Sequence, residues 1–293
     1  MDVQQRRRAV VERLRFKCGP AVADAIVSLS TLPARLRLFR TGPISVLVDS
    51  TVLFHAVTHE TAWVSTGSTK WGPHDVDTGY AARIPVRRKD KSREYLNVSY
   101  LPGIAYLARI GRLSLMTSGE LYAERLKHPS GRYSGYGYFD HDLFAGIEMK
   151  YVDAIPDMIF GPKSMNLPNI EEQQHERLAH SKDPLYLGLV KQLGPNNSQD
   201  AWHIRTAEAH GLFCFLTMDF PLLKNLDGRR GQEPIRSLRT KVMTPLELGT
   251  YLRIFPVDPR FLSYTGAGYP VRPDLHWPDG KRRRRTKKRS GSP

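Results

Sequence analysis

Short apolar runs of strand type recur along the chain, and each is followed by a segment with helical spacing. The four runs are ISVLVD (44–49), RLSLMTS (112–118), LFCFLTMD (212–219) and TKVMT (240–244). Short apolar runs of this kind are typical of strands that are buried on both faces of a sheet. Because these strands alternate with short helices, the pattern predicts an α/β fold, with a mostly parallel central sheet between two helical layers.

Interruptions of this pattern divide the chain into three parts. Residues 1–43 are predicted to form a basic, helical amino-terminal extension, and residues 44–256 are predicted to form the α/β domain itself. Two stretches of that domain, near 60–92 and 128–182, are interpreted as insertions, the first of them as a long loop or a hairpin. Residues 257–293 are rich in Pro and Gly and end in a basic tail.

Four acidic residues stand where strands end or helices begin. Asp49 and Asp219 end two of the strands, Glu120 follows a third, and Asp200 opens the helical segment QDAWHIRTAEAHG. The carboxyl ends of parallel strands and the first turns of the following helices meet at one edge of a sheet, so these side chains are expected to converge. Clustered carboxylates are the ligands that Mg²⁺ and Mn²⁺ prefer. The sequence therefore predicts a metal centre with Asp49, Glu120 and Asp200 as main ligands and Asp219 as a ligand or a water-mediated partner.

Helix capping is the alternative role for each of these acids. Asp49 and Asp219 both precede a helix, and Thr117 and Glu120 have the spacing of a capping box. Asp200 lies in a first helical turn, where a negative charge suits the helix dipole. The two interpretations are compatible, because a first-turn acid already points toward the edge of the sheet.

Repulsion between neighbouring carboxylates is a further argument for a bound cation. Two carboxylates about 4 Å apart repel each other by roughly 4 kcal/mol at an effective dielectric constant of about 20. Without a cation, some of the acids must be protonated or the site must open. Glu124, one turn beyond Glu120, is a reserve ligand or part of a solvated helix face, and Thr217 is a candidate hydrogen-bond donor to one of the acids.

The order and setting of the acids resemble those of the PIN domain, a metal-dependent nuclease fold. That family opens with a strand ending in Asp, matched by VLVDSTVLF with Asp49, and has a Glu at the start of a middle helix, matched by TSGELYAERL with Glu120. An Asp opens a helix of the form D-x-x-[IL]-x-x-x-A-x-x-x-G, which DAWHIRTAEAHG with Asp200 matches at every position except that of Ile or Leu. That helix leads into a strand ending T-x-D, matched by FLTMD with Asp219.

The resemblance covers residues 44–254 in pieces, and its most specific part is 199–252. It implies a PIN-like α/β/α sandwich and a Mg²⁺- or Mn²⁺-dependent endoribonuclease that acts on RNA in the cytoplasm. A toxin-like role would add a protein inhibitor, an antitoxin, as a partner, and a homodimer stays open. Toxin-type PIN domains are much shorter than this chain, so the insertions and extensions leave the substrate undefined.

The formal net charge of +15 is concentrated at the two ends of the chain. Residues 1–40 hold nine Lys and Arg against three acids, and residues 281–289 (KRRRRTKKR) hold eight basic residues and no acid. The remainder is close to neutral. Basic ends on a neutral body predict a polyanionic partner, with nucleic acid as the first candidate and a solubilising or targeting tail as the alternative.

Cysteine content and hydropathy exclude two classes of protein. Cys18 and Cys214 are far apart in sequence, so we expect no disulfide framework, which fits a reducing cytosol. No run approaches the roughly 18 consecutive apolar residues of a membrane span, so no membrane partner is expected.

Two other functions compete with the nuclease hypothesis. A PIN-like module could bind RNA or protein without cutting. A phosphatase of the haloacid dehalogenase class also begins with a strand ending in Asp, but that class needs a second Asp two positions after Asp49, where Thr51 stands.

Overall fold

The computed structural model describes residues 19, 21–85, 90–126, 141–161 and 167–262. The helices are α1 (21–30), α2 (Leu32–Thr41), α3 (Ser50–Ala56), α4 (Arg93–Val98), α5 (Leu101–Arg109), α6 (Gly119–Leu126), α7 (Ile170–Ala179), α8 (Pro184–Leu193), α9 (Ser198–Ala209), α10 (Phe220–Asp227) and α11 (Pro245–Leu252). The strands are β1 (Ile44–Val48), β2 (Val57–Trp71), β3 (His74–Pro85), β4 (Leu113–Thr117), β5 (His141–Asp142), β6 (Lys150–Tyr151), β7 (Cys214–Leu216) and β8 (Lys241–Met243).

A five-stranded sheet with the order β6-β4-β1-β7-β8 forms the centre of the molecule. Every neighbouring pair in it is parallel, and β1 lies in the middle with Val46 opposite Cys214 of β7 and Leu115 of β4. The four predicted strands are all present in this sheet. The prediction of an α/β fold with a parallel central sheet is confirmed.

Successive residues of the central strands point to opposite faces of the sheet, which produces two cores. On β1, Val46 and Val48 belong to one buried cluster and Leu47 to the other, and Phe215 of β7 joins Leu47. The first cluster is completed mainly by α1, α2, α3, α5 and α11, and the second by helices α6 to α10. Helices therefore cover both faces, and the predicted α/β/α sandwich is confirmed.

The amino-terminal extension is part of this core. In α1, Ala23 and Val27 are buried, as are Ala34 and Leu38 of α2, and all four belong to the first cluster. The predicted helices are thus confirmed for residues 21–41. Residues 1–18 and the predicted basic tail at 281–289 lie outside the described residues.

Both predicted insertions contribute regular structure where they are described. The first forms an antiparallel hairpin of β2 and β3, and β5 pairs with β2. The second supplies β6, which pairs with β4, and α7, which lies against α6. Residues 86–89, 127–140 and 162–166 are outside the description. Within the described part of the chain, no helix is both long and apolar enough to cross a membrane.

Candidate acidic site

Asp49 lies directly after β1, at the carboxyl edge of the sheet. Its amide donates to the carbonyl of Leu216 at 2.9 Å, which ties the position to the end of β7. Its side chain is only 4% exposed and does not cap α3. Instead, carboxylate Oδ2 accepts hydrogen bonds from the hydroxyls of Thr51 at 2.5 Å and Thr217 at 2.6 Å.

The two threonine hydroxyls have a fixed direction because they also accept bonds from the backbone. Thr51 Oγ1 accepts from the amide of Met218 at 3.0 Å, and Thr217 Oγ1 accepts from the amide of Asp219 at 3.0 Å. Each hydroxyl proton is therefore left to point at Asp49. The prediction that Thr217 bonds an acid is confirmed, and the orientation of the Asp49 carboxylate is held from two elements.

Asp219 and Asp200 reach the same edge from helix starts. Asp219 is the N-cap of α10, and its Oδ1 accepts from the amide of Leu222 at 2.8 Å, so the capping alternative is confirmed for this residue. Asp200 lies in the first turn of α9 and is half-buried. Both carboxylates remain close enough to the others to interact with them electrostatically.

Burial and neighbouring negative charges raise the pKa values of two of these acids. Burial, followed by the charges of Asp49, Asp219 and Glu124, raises the pKa of Asp200 to about 7, although His203 opposes the shift. Burial and the charge of Glu124 also raise the pKa of Asp49 above its usual range. The structure therefore brings together Asp49, Asp200 and Asp219 as the sequence predicted, with Glu124 as the fourth acid.

Glu120 has a different environment. Its two carboxylate oxygens accept from Nε and Nη2 of Arg177 on α7, both at 2.8 Å, in a bidentate and largely buried ion pair. The predicted capping box is absent from this helix start, because Thr117 Oγ1 has no hydrogen-bond partner among the described residues, and the amide of Leu121 donates instead to Ser118. Glu120 as a metal ligand stays a prediction, and in this structure its charge is already balanced.

The start of α6 is tightly constrained, which fixes the position of both glutamates. The amide of Gly119 donates to Asp153 Oδ1 at 2.6 Å. A Cβ added at Gly119 would lie 2.1 Å from the carbonyl oxygen of Ala154, so no larger residue fits there without moving the backbone. The helix carrying Glu120 and Glu124 is therefore positioned by the segment that follows β6.

Glu124 faces the aspartates and is bonded to three neighbouring elements. Its Oε1 lies 2.7 Å from His203 Nε2 on α9 and accepts from Gln174 of α7 at 3.3 Å, while Ser50 donates to Oε2 at 3.4 Å. The sequence offered Glu124 only as a reserve candidate. Its position between α3, α7 and α9 makes it part of the acidic site.

His203 is a residue of this site that the sequence analysis did not identify. The ring is buried, and burial alone would disfavour its charge, but Glu124, with Asp49 and Asp200, outweighs that cost and raises the pKa of His203 to about 9. Its Nδ1 has no hydrogen-bond partner among the described residues. A signal was present in the sequence, because His203 occupies the position where the helix pattern beginning at Asp200 has Ile or Leu.

In the described part of the site, three carboxylates interact with the imidazolium of His203, namely Glu124, Asp49 and Asp200, and Asp219 interacts with Asp200. Asp49, Asp200, Asp219 and Glu124 would carry four negative charges if all were ionised. Because the pKa of Asp200 is about 7, this acid is partly protonated near neutral pH. Burial is the main cause of this retained proton, and the neighbouring carboxylates add to it. As they stand, no three His, Cys, Asp or Glu side chains of the described residues form a group that could hold a metal ion.

We expect the ion-free protein to lose stability as the pH rises from about 4 to about 9. The folded state holds the proton of Asp200 more tightly than the unfolded state, so stability falls between the unfolded pKa of 3.8 and the folded value of about 7. The stabilising charge of His203 is fully present below pH 6.5 and is lost as the pH rises through about 9. Both groups therefore lower the free energy of unfolding as the pH rises, by a few kcal/mol in total. Urea denaturation in EDTA at a series of pH values measures the slope.

The variant Asp200→Asn separates the two contributions to this profile. It should reduce the decline in the acidic half, where Asp49 still contributes, and leave most of the decline between about pH 6.5 and 9. A wild-type profile that stays level or rises across this range would contradict the predicted electrostatic coupling.

Comparison with known proteins gives no relative for this chain. No protein-family model, no curated protein and no solved structure matches it. Fold and site therefore define this protein as an α/β/α sandwich with an acidic site at the carboxyl edge of a parallel sheet.

Proposed function

We propose that this protein is a Mg²⁺- or Mn²⁺-dependent endoribonuclease of PIN type that hydrolyses RNA phosphodiester bonds. The proposal depends on one observation: three aspartates predicted from strand and helix ends lie at the carboxyl edge of the sheet, close enough that burial and mutual repulsion raise the pKa of Asp200 to about 7. The proposed ligands are Asp49, Asp200 and Asp219, with Glu124 in the place for which the sequence favoured Glu120.

The donor chemistry of this site fits a divalent cation. All four side chains offer carboxylate oxygens, the donors that Mg²⁺ and Mn²⁺ take, and their charge exceeds that of His203. A dication would remove the repulsion that now keeps Asp200 partly protonated. Because no three of the described acidic, His or Cys side chains are arranged for an ion as they stand, we expect binding to require rotation of the half-buried ones.

The residues of this chain would prepare the site in two ways. Thr51 and Thr217 hold one oxygen of Asp49, and the other, Oδ1, has only a long contact of 3.3 Å from Ser50 among the described residues. His203 holds Glu124 in a buried pair beside the aspartates. When bound, the ion would lower the pKa of a water molecule and stabilise the charge that develops on the scissile phosphate. RNA as substrate is supported by the basic ends of the chain, and the cytoplasm by the thiol of Cys214, which is free and buried.

A binding module without nuclease activity is the second candidate. It is favoured by the two buried ion pairs, Glu120 with Arg177 and Glu124 with His203, which already balance part of the acidic charge. In such a module the acids would be structural. Divalent ions would then leave both the melting temperature and any bound RNA unchanged.

Incubating the full-length protein with single-stranded and structured RNA, with Mn²⁺, Mg²⁺ or EDTA, tests the proposal. We expect cleavage only with the divalent ion. We also expect a metal-dependent rise in melting temperature, equivalent to about 2.7 kcal/mol when the ion is at about 100 times its Kd. RNA binding with neither effect would favour the binding module. Absence of cleavage, of metal stabilisation and of RNA binding would contradict both.

A further inference from the structure

The outer face of α1 and α2 carries an apolar stripe with no covering element in the described structure. It consists of Val22, Leu29, Leu32, Leu36 and Phe39, which we call the outer stripe, and their exposed fractions range from 40% to 73%. The opposite face of the same helices is buried in the first core cluster. Large apolar side chains that are exposed in one continuous row mark an interaction surface more often than chance exposure does.

The spacing of the outer stripe suits packing against another helix pair. Its members follow one another at intervals of 7, 3, 4 and 3 residues, and the exposed Ala25 divides the first interval into 3 and 4. That alternation is the a/d repeat by which helices interlock. The repeat is symmetric about its middle, so an antiparallel second copy would place Val22 opposite Phe39 and Leu29 opposite Leu32. The stripe is therefore complementary to itself.

The charges beside the stripe favour the same antiparallel arrangement. Asp24 is the one charged residue of α1, whereas α2 carries Arg35 and Arg40 and no acid; its third arginine, Arg37, is bonded to the carbonyl of Tyr251 on α11. A parallel pair would bring the arginine-bearing helices together. An antiparallel pair places each of them near the partner's α1 with its Asp24, which avoids that repulsion.

The size of the surface is sufficient for a weak but specific dimer. Ile110 is 41% exposed beside the stripe, and Arg112 stacks 5.5 Å from the ring centroid of Phe39, which extends the patch. Together these side chains present roughly 600 Å² of mostly apolar surface, at the upper end for one monomer. Two copies would bury about 1,200 Å², the lower limit of standard interfaces.

We propose that the outer stripe is the interface of an antiparallel homodimer of this protein. This inference does not depend on the proposed nuclease activity, because the stripe belongs to the helices that precede β1 and contains none of the acidic residues. Interfaces of this small size are typical of weak complexes, so we expect a dissociation constant in the micromolar range.

Sedimentation velocity of the full chain, from about 1 to about 100 µM, tests this proposal. The wild type is expected to shift from the 33.3 kDa monomer to a species of twice that mass. Leu36→Asp should remain monomeric over the whole range. Leu187→Asp, on α8 and 50% exposed outside the stripe, is the matched control and should dimerise like the wild type. Asp24→Arg should weaken the dimer at low salt if the helices are antiparallel.

Circular dichroism and melting curves establish that each variant is folded before its mass is compared. A wild type that is monomeric at every concentration overturns the proposal, whether the stripe is then covered by another part of the chain or by a different protein. Dimerisation of Leu36→Asp with wild-type affinity overturns it as well, because the interface would then lie elsewhere.

Discussion

Asp49→Asn is expected to abolish metal-dependent RNA cleavage and, at the same time, to raise the melting temperature of the ion-free protein. The Asn carbonyl can still accept from Thr51 and Thr217, so the local hydrogen bonds are kept. The change removes a buried charge whose pKa is raised by burial and by Glu124. We therefore expect a higher free energy of unfolding at neutral pH in EDTA, because the neutral amide does not carry the cost of ionising a buried carboxyl beside Glu124.

Activity should fall by on the order of 10³-fold in the same variant, because an amide is a poor ligand for a hard cation and cannot supply the lost charge. Opposite changes in stability and activity are what a functional acid produces, whereas a structural acid would lose both. The melting temperature in EDTA and the initial rate in Mn²⁺ are the two measurements. Asp227→Asn, at an exposed acid paired with Arg230, is the matched control and should alter neither. Equal activity of the wild type and Asp49→Asn would contradict the nuclease proposal.

Glu120→Gln and Glu124→Gln are expected to differ in their effect on the metal-induced rise in melting temperature, although the two residues are one turn apart on α6. Glu120→Gln leaves the guanidinium of Arg177 without its carboxylate in a largely buried setting. The loss should be about 2–3 kcal/mol of stability, less than for a fully buried pair because Arg177 is partly exposed. The metal-induced rise in melting temperature should remain.

Glu124→Gln should instead reduce or abolish the metal-induced rise in melting temperature. In EDTA we also expect a loss of stability, because the buried imidazolium of His203 loses its carboxylate partner and the relief of Asp49 and Asp200 offsets that loss only in part. Thermal melts of both variants with and without Mn²⁺ give the comparison. If Glu120→Gln lost the metal response and Glu124→Gln kept it, Glu120 would be the ligand, as the sequence favoured.

The strands of the central sheet could be predicted because their sequences are continuous apolar runs. β1 and β7 are buried on both faces, and such strands need apolar residues at successive positions. β6 could not be predicted, since Lys150 and Tyr151 are exposed and the strand is only two residues long. It forms because the chain passes beside the end of β4, which no local pattern encodes.

At the site, the positions of the aspartates could be predicted from local sequence patterns, whereas the roles of the two glutamates could not. Asp49 and Asp219 follow strands whose ends the apolar pattern marks, and Asp200 begins a helix, so their common location followed from the fold class. The choice between Glu120 and Glu124 depends on Arg177, which lies 57 residues after Glu120 in the second insertion. His203 was missed because its place at the Ile or Leu position of the helix pattern indicates burial but does not identify Glu124 as its partner.

Helix α7 links the second insertion to the chemistry of the site. Through Arg177 and Gln174, on one face of this helix, the insertion contacts both glutamates of α6. Trimming residues 128–182 to obtain a minimal domain would therefore remove the counter-charge of Glu120 and a hydrogen bond of Glu124 together. Any shortened version of this protein has to keep α7, and a molecule that displaced α7 from α6 would expose two additional carboxylates beside the aspartates.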